Sequence, residues 1–116
     1  MPYMFARCSK LETLNLNLFN TNQVRNMDSM FKGCTSLQNL YLGTYFDTSS
    51  VTNMTYMFQN CSSLIAINLN NFNSPNCLYM DYMFNGCTSL ESIQFGTNID
   101  TSNVVNMCYM FAGCNK

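Results

Sequence analysis

Histidine and tryptophan are absent from the 116 residues, and proline occurs only twice. A chain without histidine lacks the commonest general base and the commonest metal ligand. Charge is scarce too. Five Lys and Arg face six Asp and Glu, and charged residues make up 9% of the chain, against roughly 25% in an average soluble protein. No basic excess is left to neutralise phosphates, so nucleic acid is not an expected partner. No polybasic stretch suits an anionic membrane. No apolar run approaches the roughly 18 residues of a transmembrane helix, so membrane insertion is not expected. The carboxylates Asp28 and Asp81 fall in one outer column, but two repeats apart with Thr55 between them. With no nucleophile–base pair to draw, the chain reads as a non-enzyme with no catalytic residue, no metal and no cofactor.

What is present is repetition. Met-Phe-x-x-Cys occurs five times, ending at Cys8, Cys34, Cys61, Cys87 and Cys114, so the cysteines step by 26, 27, 26 and 27 residues. After each of the first four comes a Leu-x-x-Leu-x-Leu run or its Ile and Phe variants, at residues 11–16, 37–42, 64–69 and 90–95. A polar turn follows, then Val24, Val51, Cys77 or Val104, then Met27, Met54, Met80 or Met107. A longer period lies above the short one: residues 8–60 and 61–113 align without gaps and match at 28 of 53 positions. Even-numbered runs carry one extra residue beside Gly43-Thr44 and Gly96-Thr97. The whole chain, 1–116, is therefore expected to be one elongated domain of four full repeats plus a partial one.

The period of 26–27 sits in the leucine-rich-repeat range of about 20–29 residues. The Leu-rich run alternates as a strand with one buried face does. Met54, Met57, Phe58 and Cys61 are spaced i, i+3, i+4, i+7, which predicts a short helical turn. Asn26, Asn53 and Asn106 are candidate caps for it, Gly33, Gly86 and Gly113 suit its C-terminal turn, and Thr48-Ser49 and Thr101-Ser102 mark a corner. The expected fold class is an α/β repeat. It is a right-handed solenoid of leucine-rich-repeat type, with a parallel β-sheet on one face and short helical turns on the other. Neither end carries a polar capping repeat. The end faces are expected to be covered by further repeats or by other copies.

The string Phe46-Asp47-Thr48-Ser49-Ser50-Val51-Thr52-Asn53-Met54-Thr55-Tyr56-Met57-Phe58, followed by Cys61-Ser62-Ser63-Leu64, resembles the BspA-type leucine-rich repeats. These are found in Mycoplasma surface lipoproteins and in many bacterial and protist surface proteins. The resemblance covers essentially the whole chain. It implies a cell-surface or secreted protein engaged in adhesion or binding of a host protein, and it carries no catalytic motif.

Two surfaces are candidate binding sites. Tyr3, Tyr56, Tyr82 and Tyr109 share one column, broken by Ser29, that points away from the Met and Phe face. Their rings either form a recognition stripe or stack on one another as a cover. On the outer face of the sheet, Asn15, Tyr41, Asn68 and Gln94 fill one polar, uncharged column. Asn15 and Asn68 are further candidates for amide ladders between repeats. The five columnar cysteines are expected to be free buried thiols, since side chains on parallel neighbours lie too far apart for an easy bridge. Cys77 takes a core-like Val position. Cys108 is the one thiol placed to be exposed. Met-x-x-Met beside Cys has the softness of a Cu(I) site, but core packing accounts for all the repeats at once. The function expected is protein–protein binding at a cell surface or outside the cell, with an extracellular or host protein as partner. The alternative is a structural protein whose copies stack end to end into a filament or layer.

Overall fold

The Leu-rich runs form four short strands: β1 (Thr13–Asn15), β2 (Asn39–Tyr41), β3 (Ala66–Leu69) and β4 (Ser92–Phe95). The computed structural model describes residues 1–97 and 99–115. β1 pairs with β2 in parallel, setting Thr13 beside Asn39 and Asn15 beside Tyr41. β3 pairs with β4 in the same way, setting Ala66 beside Ser92 and Leu69 beside Phe95. β2 and β3 are not paired, so the strands make two small sheets. Opposite the strands the ladder has no such break: Asn26, Asn53, Tyr79 and Asn106 are joined in one run of parallel bridges.

The segments expected to be helical turns are not helices, and no helix occurs among the described residues. In the second repeat Met54, Tyr56, Phe58 and Asn60 donate their N–H groups sideways to the carbonyls of Tyr79, Asp81, Met83 and Asn85 in the third, at 2.8–2.9 Å. The intervening N–H groups of Met57, Gln59 and Cys61 reach back three residues, at 3.0–3.2 Å. Backbone sign explains the difference. Tyr3, Ser29, Tyr56, Tyr82 and Tyr109 have φ of 55–60°, and four residues on Arg7, Gly33, Asn60, Gly86 and Gly113 have φ of 61–78°. A left-handed residue cannot continue a right-handed helix. Each one swings the next peptide so that half of the N–H groups bind the neighbouring repeat. The apolar spacing i, i+3, i+4, i+7 suits this chain of turns as well as it suits a helix. Asn26 and Asn53 accordingly cap no helix; each accepts an N–H two residues on, from Asp28 and Thr55, at 2.8 Å.

The core is built from columns. Met27, Met54 and Met80, then Met30, Met57 and Met83, are buried, with Leu37, Leu64 and Leu90 beside them. Phe31, Phe58 and Phe84 stack nearly parallel, with centroids 5.2 and 5.3 Å apart. Phe46 lies 5.9 Å over Phe72. The corner has its own buried column of hydroxyls, Thr21, Thr48 and Ser74. Thr48 donates to the Asn73 carbonyl at 2.7 Å and accepts the Asn73 N–H at 2.9 Å. Thr21 does the same with Asp47, and Ser74 with Asp100. These side chains are polar and buried because each is a two-way stitch to the next repeat.

The elongated shape expected from the sequence is not present. The chain measures 31 × 30 × 24 Å. Layers about 4.8 Å apart build a stack no longer than one repeat is wide when there are so few of them.

Candidate functional site

A groove of about 500 Å³ runs along the outer side of the strands, lined by Leu40 and Tyr41 of β2 with Gln38 just before it, and by Ile67 and Asn68 of β3 with Ile65 just before it. Gln94 of β4 forms its far edge. Tyr41 and Ile65 are half exposed, at 50% and 52%. Leu40 and Ile67 belong to the inward-facing set, and Ile67 is only 4% exposed. Their presence in the lining means that the groove descends between β2 and β3 towards the core. No lining side chain is charged.

The missing strand pairing produces this depth. In a parallel ladder alternate residues turn their N–H and C=O to opposite neighbours. Asn39 N–H and Tyr41 C=O are used on the β1 side, by the Glu12 carbonyl and the Leu16 N–H. The Ile65 carbonyl is used on the β4 side, by Glu91 and Ser92. The N–H and C=O of Leu40, Ala66 and Asn68 are therefore directed into the space between β2 and β3. The repeats remain joined at either end of the groove. Ser63 Oγ donates to the Thr35 carbonyl at 2.6 Å, and Asn71 Nδ2 to the Gly43 carbonyl at 3.2 Å.

Three of the four sheet-face residues singled out from the sequence meet here: Tyr41, Asn68 and Gln94. Asn15 stands on β1, outside the lining. The amide ladder between repeats does not form. Asn15 and Asn68 each accept an N–H from two residues on, Asn17 and Asn70, at 2.9 Å, because this local bond closes the turn after the strand. Sequence reasoning missed Leu40 and Ile67 as lining residues, having assigned them to the core. The signal that could have found them is the 26, 27 alternation in cysteine spacing, which marks one junction as unlike its neighbours.

The tyrosine column divides. Tyr56, Tyr82 and Tyr109 stack, with centroids 5.2 and 5.1 Å apart. Tyr3 is separated from them by Ser29, which is buried. The ring face of Tyr56 on that side is covered by Lys32, whose Nζ lies 4.4 Å from the centroid. Desolvation in the stack, then the neighbouring Tyr109 and Tyr56, push the Tyr82 phenol up. The rings thus spend most of their faces on one another, over the left-handed backbone that carries them.

All seven cysteines are free. Cys34, Cys61, Cys87 and Cys114 each donate Sγ–H to the carbonyl of the Phe one repeat back, at 3.1–3.2 Å. Burial pushes the Cys34 and Cys87 thiols up to about 11 and about 12, and Cys61 further still. Such thiols are poor nucleophiles at neutral pH. Cys108 is exposed, but so is Cys8 of the expected buried column. Among the described residues no group of three or more Cys, Asp or Glu gathers to hold a metal.

No curated protein and no solved structure matches the chain. A family model does, over residues 1–116. On that match the chain belongs to the family described as "Mycoplasma protein of unknown function, DUF285".

Proposed function

We propose that this chain is a non-enzymatic binding module of the BspA-like leucine-rich-repeat type: a right-handed solenoid at a cell surface or outside the cell that engages an extracellular or host protein. The observation that carries the reading is the groove over β2, β3 and β4. It is an uncharged recess of about 500 Å³ on the strand side, and it joins hydrogen-bonding amides to two half-exposed side chains, Tyr41 and Ile65. Repeat proteins use such a face for partners. The parallel pairing at a step of 26 residues supports the solenoid, and the sequence resemblance supports the surface location. The test is a screen of the purified chain against immobilised extracellular proteins, with Tyr41→Ala and Gln94→Ala as controls. A partner whose affinity survives both substitutions would sink the groove as the site.

A further inference from the structure

We propose that the gap between β2 and β3 is a receptor for an extended peptide strand, which enters parallel to them and is held by main-chain hydrogen bonds. The inference rests on the reading of the groove as the binding site and names the class of ligand it takes.

Three observations carry it. First, both walls are strand edges. The N–H and C=O of Leu40 on one side, and of Ala66 and Asn68 on the other, turn into the gap. Unpaired strand edges select another strand, since each wall repeats donors and acceptors at the peptide spacing. Second, the side chains alternate as an extended peptide requires. Leu40 and Ile67 line the floor and would meet its inward residues, while Gln38, Tyr41, Asn68 and Gln94 rim the mouth and would meet its outward ones. Main-chain bonds then give affinity, and floor and rim give sequence preference. Third, the gap is held at both ends. The bonds from Ser63 to Thr35 and from Asn71 to Gly43 fix the flanking turns, while the continuous ladder behind fixes the back. The uncharged lining excludes a strongly acidic or basic peptide, because no partner charge would offset its desolvation.

The experiment uses a displayed library of random linear octapeptides, selected on the purified chain. The best peptide is then synthesised with single N-methyl groups at successive amides. Strand addition predicts that N-methylation at alternate amides lowers affinity about tenfold or more, and that the amides between tolerate it. It also predicts slowed hydrogen exchange at Leu40, Ala66 and Asn68 on binding. Ala66→Pro, which removes one N–H from the wall, should weaken the peptide to a similar degree. If that variant fails to fold, the N-methyl series still decides. Loss of affinity on Tyr41→Ala with no alternation in the N-methyl series would overturn strand addition and leave the groove as a side-chain site. A library that yields no peptide, while a neutral oligosaccharide such as chitohexaose protects the same amides, would overturn it in favour of a glycan. Selected peptides indifferent to both Tyr41→Ala and N-methylation would remove the groove itself as the site.

Discussion

The junction inside each pair of repeats and the junction between the two pairs share one side and differ on the other. On the shared side, Phe rings, Met columns, thiols and the sideways N–H bonds run through all the repeats alike. On the strand side, repeats one and two are zipped by β1 and β2, and repeats three and four by β3 and β4. Repeats two and three are not. The unzipped junction falls at the boundary between the two 53-residue copies, 8–60 and 61–113. The longer period is thus a structural unit: a pair of repeats closed on both sides, set beside a second such pair across a junction that closes on one side only.

The extra residue in the even repeats accounts for the pairing. It sits beside Gly43 and Gly96, and each glycine lies directly against the main chain of the preceding odd repeat, at Asn17 and Asn70. A Cβ at either place would overlap that backbone. The lengthened turn leans onto the repeat before it; towards the repeat after it the Gly43 carbonyl accepts a side-chain bond from Asn71, and the strands on that side are not paired.

The comparison can be broken most forcefully on the shared side. Phe58 lies between Phe31 and Phe84, fully buried, and its ring spans the junction between the pairs. Phe58→Ala should cost about 3–5 kcal/mol in a urea melt. Because no strand pairing backs up this junction, residues 61–97 should also lose hydrogen-exchange protection ahead of residues 8–60. Uniform loss across both copies would show that the open junction is no weaker than the closed ones.

The closed junctions are tested by their glycines. Gly43→Ala and Gly96→Ala should each cost about 1–3 kcal/mol by overpacking against backbone. The two should match within about 0.5 kcal/mol, since they are the same site in two copies. A cost from Gly43→Ala alone would mean that the pairs are not equivalent.

The thiol column crosses the open junction at Cys61, whose S–H binds the Phe31 carbonyl. Burial raises this thiol, Cys34 and Cys87 above their ordinary value of 9.0. For an acid raised in the folded state, the unfolded chain releases its proton first. Stability is therefore full below about pH 9 and falls as pH rises towards 11–12, by at most about 1.4 kcal/mol per pH unit for each thiol. Denaturation midpoints at pH 8, 9 and 10 should drop less steeply in Cys61→Ala than in the parent chain. Parallel pH profiles would refute the burial of that thiol.

Much of this was legible in the sequence. Columns of Met, Phe, Leu and Cys at 26–27 residue steps mark the buried positions, because a repeated residue type at a fixed period has to pack on its own kind. The strand positions follow from the alternation in the Leu-rich runs. The helical turns did not, and the reason is specific. Spacing reports which side chains share a face, whereas the sign of φ at Tyr56 and Tyr82 decides where the N–H groups go, and tyrosine gives no hint of a left-handed backbone. Gly33 and Gly86 do give that hint four residues later, at the second such position. Of the buried hydroxyl column at Thr21, Thr48 and Ser74 the sequence singles out Thr48 alone, as a corner, since nothing in a threonine says whether it is buried. The groove escaped because pairing is a relation between two repeats, and Leu40 and Ile67 look like any other core residues.

The smallest expected effect concerns the bonds that bound the open junction. Ser63 Oγ reaches the Thr35 carbonyl at 2.6 Å on one side of the groove. Thr88, the closest counterpart across the closed junction of repeats three and four, makes its bond to the Ser62 carbonyl at 3.4 Å. Both bonds lie at the surface; a short hydroxyl–carbonyl bond contributes about 0.5–1.5 kcal/mol net at most there, and a 3.4 Å one less. Ser63→Ala should therefore cost up to about 1 kcal/mol, and Thr88→Ala close to nothing. The sharper readout is local. With Ser63 gone, that end of the groove keeps the weaker Ser62 Oγ bond to the same carbonyl, at 3.3 Å. Exchange at Leu64, whose N–H binds the Cys61 carbonyl in the turn that carries Ser63, should quicken, while exchange at Asn39 and Ser92, whose N–H groups are held by the strand pairs, stays as it was. If both sets quicken together, the two sheets open as one unit, and the junction between the pairs has no independence from those within them.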